Sequence, residues 1–275
     1  MKRKLFISLT IFFTMILSAC GQTTSKNETK ELSLQEVFDK SMNASNKELK
    51  SFSADMKMKQ QMNSSMLNEE MNMSMDMKMD YIADPISWYQ VLQMSIEDTG
   101  ESLNMESYLT KDGYYLFDEM SGQWMKLPSE MANQMTQLPE NQSNPIDQIE
   151  QLKPFLKEFS MEQEGDHYVL KMDGSGDKFS ELITDMILGS LGTDGAQEAK
   201  DLFSQLSIEK LSYTIHINKD TFFPTYISMV MESNFTIDGE SIFMHQELEG
   251  TYSNYNNIKS IEIPEEVLNS ATEGF

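Results

Sequence analysis

Few side chains in this chain are of the types that hold a metal, relay a proton or form a covalent intermediate. The three histidines, His167, His216 and His245, show no His-x-x-x-His or comparable spacing. His216 alternates with Ile215 and Ile217, and His245 shares the Glu247 and Glu249 side of its segment, opposite Met244 and Leu248. His167 stands between Asp166 and Tyr168, on the side of Val169 and Lys171. Such positions read as solvated side chains rather than ligands or bases. No Gly-x-Ser-x-Gly elbow, phosphate loop or dinucleotide fingerprint occurs. The 44 Asp and Glu residues are too many for any pair to stand out as a hydrolytic dyad. Asp173, Ser175 and Asp177 have the opening spacing of a calcium loop. Lys178, however, stands where that loop needs Gly, and Thr184 where it needs a bidentate Glu, so the stretch reads as a Gly-rich turn entering a helix. The expectation is a non-enzymatic protein with no catalytic residue, no metal and no cofactor.

The single cysteine, Cys20, excludes an internal disulfide framework and a Cys-paired zinc site. Its setting gives it another chemistry. Lys2, Arg3 and Lys4 form a positive start, Leu5 to Leu17 is apolar, and Leu17-Ser18-Ala19-Cys20-Gly21 supplies small residues before the thiol. This order resembles a bacterial lipobox, which implies a signal peptide over 1–19, diacylglyceryl transfer to Cys20 with further acylation such as palmitate, and cleavage before it. The apolar run is too short to span a bilayer as a helix, and no longer one follows. Two or more acyl chains anchor a protein stably, whereas one holds it only marginally. Loss of Lys2, Arg3 and Lys4 takes the formal charge from −23 to −26. An anionic membrane surface repels such a chain, so the anchor alone must hold it. The same charge excludes nucleic acid as a partner. Residues 21–31 carry no large apolar side chain, and 20–32 reads as a lipidated flexible tether. The expected location is the extracytoplasmic face of the cell membrane.

Methionine is the other unusual component, with 24 residues. Met71, Met73, Met75, Met77 and Met79 alternate with Asn72, Ser74, Asp76, Lys78 and Asp80, which puts every thioether on one side of a strand. Met56 and Met58 alternate likewise with Asp55 and Lys57. Three readings stay open. Methionine fills a plain core as a flexible, polarizable apolar group. A face of unbranched three-torsion side chains also adapts to irregular apolar guests, as promiscuous Met-rich grooves do. Trp88, Phe117, Met229 and Met231 extend that lining. Finally, thioethers are soft ligands that select Cu(I), and the run resembles Met-rich segments of periplasmic copper proteins. Alternate residues of one strand lie about 6.6–6.8 Å apart, so three converging sulfurs need a bend or a second strand.

The elements that must position these residues follow from periodicity. Ser33 and Glu36 form a capping box ahead of an amphipathic helix over 34–49. Strands are expected from Phe52 to Met58, over 71–79, 86–97, 104–110, 114–118 and 123–127, with turns at Lys111-Asp112-Gly113 and Ser121-Gly122. A looser helical stretch follows to Phe159, capped at Asn144-Pro145 and kinked or divided at Pro154. A hairpin over 160–173 turns at Gly165, and helices are expected over 178–190 and 195–206. Strands return over 208–218, 222–232, 234–238, 241–254 and 258–263. Strands, then helices, then strands give an α+β domain whose antiparallel sheet is completed from both ends of the chain.

Three stretches also carry a likeness: Leu49 to Met56 after the first helix, Lys111 to Tyr115 continuing to Gln123–Pro128, and Ile217 to Pro224 with Asn254–Asn256 and Ile261–Val267. Across most of residues 33–272 the chain resembles Gram-positive lipoproteins of unknown function related in fold to LolA and to the LppX/LprG lipoproteins. The resemblance implies a domain over 33–275 built as a curved antiparallel half-barrel with α-helices packed on its concave face. It also implies an acyl chain or other apolar ligand held between sheet and helices. Met56, Met58, Met71, Met73, Met75, Met77, Met79, Trp88, Met229 and Met231 would line the site. Leu182 and Met186 would cover it from the helix over 178–190. The alternatives are a structural or protein-interaction lipoprotein with a closed core, and an extracytoplasmic copper-binding protein.

Overall fold

Helix α1 (Leu34–Glu48) starts at the capping box. Ser33 Oγ accepts the Glu36 N–H at 3.3 Å, and the Glu36 carboxylate accepts the Ser33 N–H at 2.8 Å. Two donors that a helix start leaves open are thereby satisfied. Val37, Phe38, Ser41, Met42, Ala44 and Ser45 form its buried stripe. The computed structural model describes residues 31–64, 70–119, 121–130, 147–184, 188, 206–237 and 240–274. Ser33–Phe275 forms one compact unit.

The strands are β1 (Ser51–Ser64), β2 (Glu70–Ala83), β3 (Ile86–Ile96), β4 (Glu101–Thr110), β5 (Gly113–Asp118) and β6 (Gln123–Lys126), then β7 (Phe159–Glu164), β8 (His167–Gly174), β9 (Ser207–Asn218), β10 (Pro224–Ile237), β11 (Glu240–Ser253) and β12 (Thr272–Glu273). They form one sheet in the order β12-β6-β5-β4-β3-β2-β1-β11-β10-β9-β8-β7. This is an open, curved antiparallel half-barrel with a few helices. Two meanders, β1 to β6 and β7 to β11, meet where β1 pairs with β11 from Ser53↔Ser253 to Ser64↔Ile242.

The period of two divides every strand between two faces. On the inner face Phe52, Tyr81, Tyr252 and Phe223 are buried, with ring centroids 5.1 Å apart for Phe52–Tyr81 and 4.3 Å for Phe223–Tyr255. Burial pushes the Tyr252 and Tyr255 hydroxyls well above the usual phenol range. Tyr255 still donates to the Pro224 carbonyl at 2.5 Å. Asn256, at φ 60°, ties the helix end to this cluster: its Oδ1 accepts the Lys50 N–H at 2.7 Å and its Nδ2 donates to the Glu48 carbonyl at 2.9 Å. The helical residues 177–184 lie over the inner face of β8, because a Cβ on Gly174 would stand only 2.1 Å from Phe179 Cζ.

The outer face has its own cluster. Tyr89, Tyr108, Tyr115 and Trp124 pack under Ile261, Ile263 and Val267, and the Tyr89 and Tyr108 rings stack at 4.6 Å.

Several expectations are corrected. Residues 258–263 join no ladder; they run unpaired, with Ile261 and Ile263 set on the outer aromatic cluster. The alternation that suggested a strand there reflects packing against side chains. The two strands expected over 222–232 and 234–238 are replaced by the one strand β10 (Pro224–Ile237), because the polar Glu232-Ser233 step is a register shift against β9 and not an interruption. The stretch before Phe159 is divided, with a turn of α-helix over Asp147–Glu150 and a 3₁₀-helix over Lys153–Glu158 that takes Pro154 near its start. Phe159 itself opens β7. The pairing of β12 with β6 is parallel and was not foreseen. Asn144-Pro145 and 195–205 lie outside the described residues.

Gly174→Ala should lower stability by about 1–3 kcal/mol, the range for overpacking a filled core. In a Phe179→Leu background the same change should cost less than about half as much, since the ring it strikes is gone. Urea unfolding midpoints of the two pairs of chains measure both values.

Candidate functional site

Register shows which inner-face residues stand side by side. One row crosses the sheet as Ile227, Gly250, Met56, Met77, Leu92 and Met105. The next is Met229, Leu248, Met58, Met75, Met94 and Leu103. A third runs Met231, Gln246, Gln60, Met73 and Ile96, and a fourth Ser233, Met244, Met62 and Met71. Neighbouring Cβ atoms in such rows are about 4.5–5.5 Å apart, so the side chains form one continuous surface. Gly250 leaves a dimple in it: a Cβ there would stand 3.0 Å from Ile227 Cγ2 and 3.6 Å from Met56 Cε.

Burial divides this surface in two. Met56, Trp88, Met229 and Met231 are buried, as is Leu182 on the helical segment 177–184. Met58, Met71, Met73, Met75, Met77 and Met79 are half-buried, and Leu103 is 51% exposed. The structure thus places the first group in the core and brings the second together as an open thioether face. Met186 lies outside the described residues. Phe117 belongs to the opposite face, paired with Trp124 at a centroid distance of 5.5 Å, and is withdrawn from the lining. Leu92, Met94, Leu103, Met105, Met244 and Leu248 enter the face without having been nominated. The alternation of Leu92, Met94 and Ile96 was a usable signal; their adjacency to Met73, Met75 and Met77 depended on register.

The face contains few polar groups. Gln246 donates Nε2–H to Met58 Sδ at 2.9 Å, and Gln60 donates to Met62 Sδ at 3.0 Å. Among the described residues, Trp88 Nε1 and Ser233 Oγ are buried without a hydrogen-bond partner. A cleft of about 570 Å³ lies elsewhere, at the strand turns, between Pro85, Thr110, Lys111, Lys126 and Glu273. A hollow of about 260 Å³ includes Gln60 and Met73 with Lys59, Glu97, His245 and Glu247. Neither is lined by a residue of the segment 177–184. Of the methionines in the four rows, Met73 lines the second hollow and the others line neither.

The outer face carries charge. Lys57 stands between Asp76 and Glu249 in register, and Lys59 beside Glu247. His245 lies 3.2 Å from Glu247 and 3.7 Å from Glu232. The His216 ring sits 6.0 Å from His167 and 5.0 Å from Tyr226. Burial first, and the neighbouring His167 second, hold His216 below the usual histidine range. Among the described residues no three His, Cys, Asp or Glu side chains group as a metal site. No described helix is long and apolar enough to cross a membrane.

The profile of DUF6612, a family of unknown function, matches residues 33–272. The chain belongs to that family. No curated protein matches it. Among solved structures, LprF from Mycobacterium bovis is similar at 13% identity over 84% of this chain and 96% of that one, with a TM-score of 0.40. A DUF1329 protein from Desulfovibrio piger is similar at 13% identity over 82% and 95%, with a TM-score of 0.23. Lipovitellin, solved for its lipid–protein interactions, is similar at 7% identity over 78% of this chain and 26% of its own, with a TM-score of 0.33. Likenesses at this level say nothing about function. The sequence resemblance to a family of unknown function agrees with membership in DUF6612.

A histidine whose folded-state value is depressed favours the native state only while it is neutral. Its contribution is complete above the unfolded value of about 6.5 and is lost as pH falls through the lower folded value. His216→Gln should therefore reduce the fall in melting temperature between pH 7.5 and pH 5. An unchanged difference, measured by thermal unfolding at both pH values, would contradict that role.

Proposed function

We propose that this chain is a lipid-anchored, extracytoplasmic binding protein that receives an acyl chain or similar apolar ligand on its open thioether face. The observation that supports it is the split of one apolar surface into a buried part and a half-buried part. The buried part is core. The half-buried part, from Leu248 through Met58 and Met75 to Met94 and Leu103, leaves apolar area facing solvent. Soluble proteins seldom leave such contiguous patches without an occupant. A closed core would have consumed these side chains. Methionine suits a ligand of irregular shape, because three torsions let the wall conform to the guest at little strain.

In this reading residues 1–19 are removed, Cys20 carries the diacylglyceryl group, and residues 20–32 are the tether. The polar composition of that stretch and the net acidity of the rest keep the body off an anionic membrane. Binding requires no bond-making, and the function is carriage or sheltering rather than catalysis.

Chain beginning at residue 21, purified without detergent, should release lipid on solvent extraction and bind a fluorescent fatty acid. Met58→Lys with Met75→Lys should weaken that binding by about tenfold or more, near 1.4 kcal/mol, while Met75→Leu stays within about threefold, because it conserves volume and polarity. Absence of lipid together with absence of binding would overturn the proposal. Separately, Cys20→Ala should move the protein from the membrane fraction to the soluble fraction on cell fractionation.

A further inference from the structure

We infer that the same face holds two sites for a soft monovalent cation, Cu(I) or Ag(I), each built from three thioethers on three adjacent strands. Along a single strand, successive methionines of one face are about 6.6–6.8 Å apart, too far to share an ion. The cross-strand register removes that obstacle. Met75 on β2 stands between Met58 on β1 and Met94 on β3. Met62 on β1 stands between Met71 on β2 and Met244 on β11. All six are half-buried, so an ion reaches them from solvent.

Strands lie about 4.8 Å apart, so each flanking Cβ is that far to one side of the central one. The two bonds from Cβ to Sδ close most of this gap. The torsional freedom of methionine lets three sulfurs meet above the central residue. Thioethers are neutral and soft, which selects Cu(I) and its congener Ag(I) over hard divalent ions.

The row between the two triads separates them and adds a constraint. Gln246 and Gln60 donate to Met58 Sδ and Met62 Sδ, one sulfur in each triad. Each amide occupies one lone pair and fixes the rotamer, leaving the second lone pair for a metal. The formal charge of −23 adds a general attraction for cations. This inference is independent of apolar-ligand binding, although both use one surface.

The test uses the full chain carrying Cys20→Ser, so that no thiolate competes, titrated against Cu(I) held by the coloured chelator bicinchoninate. The parent chain should withdraw two Cu(I). Met75→Leu and Met62→Leu should each withdraw one, and the double variant none. Met229→Leu, at a buried methionine outside both triads, should still withdraw two. Leucine conserves volume and apolarity, so all these variants should keep the melting temperature of the parent chain, and fatty-acid binding measured on the parent chain alone separates failure of this inference from failure of the binding function. Addition of Ag(I) should shift the methyl carbon resonances of the six named methionines and leave Met229 unmoved. A parent chain that takes no copper from the chelator, or a double variant that takes two, would overturn the inference.

Discussion

The pairing of β1 with β11 is the contact on which the rest of the sheet depends. It joins residues about two hundred positions apart, from Ser53↔Ser253 to Ser64↔Ile242. In the order of the ladders, β2 to β6 reach β7 to β10 through it. A slip of one residue would turn Met56, Met58 and Met62 to the charged side and bring Lys57 and Lys59 inward. Two features oppose that slip. Lys57 sits between Asp76 and Glu249 on the outer side, and Gly250 on the inner side accommodates Met56 beside Ile227. Asn256 adds a third restraint, because it binds the end of α1 and the start of β1 to the segment that follows β11.

The two faces differ in how they are finished. The outer face is covered at one end by the C-terminal segment over Tyr108 and Tyr115 and is charged elsewhere. The inner face is covered at the aromatic end and over β8, where Phe179 packs on Gly174. Between these coverings the methionine rows keep partial exposure. A side chain that is apolar yet not shape-specific suits such a border, since it tolerates water, a hydrocarbon chain or a neighbouring methionine with little change in packing.

Much of this was legible in the residues. The capping box at Ser33 and Glu36, the alternation of Met71 to Met79 and the turns at Gly113 and Gly165 are local signals, and local signals survive folding. The division at Pro154 was legible for the same reason. Failures arose where a residue's environment came from distant sequence. Ile261 and Ile263 alternate as a strand would, yet they meet the Tyr108 cluster instead of a ladder. Ser233 lies in a polar stretch that reads as a turn, but neighbouring strands on both sides carry β10 through it. Phe117 was placed on the wrong face because the parity of a six-residue strand rests on a single choice of start. The rows themselves, such as Met58, Met75 and Met94, depend on three registers at once, and no single segment encodes them.

The two rims of the sheet are treated differently, with consequences for self-association. Along β6 the chain's own tail supplies Thr272 and Glu273, and the Gly274 N–H donates to the Lys126 carbonyl at 2.8 Å. At the opposite rim β7 is six residues long and bears Glu162 and Glu164, both gathered around Lys171. A second copy docking there antiparallel would set carboxylates against carboxylates across a short span. One border is thus plugged and the other repels its own likeness, which disfavours fibre-like stacking of a sheet this wide.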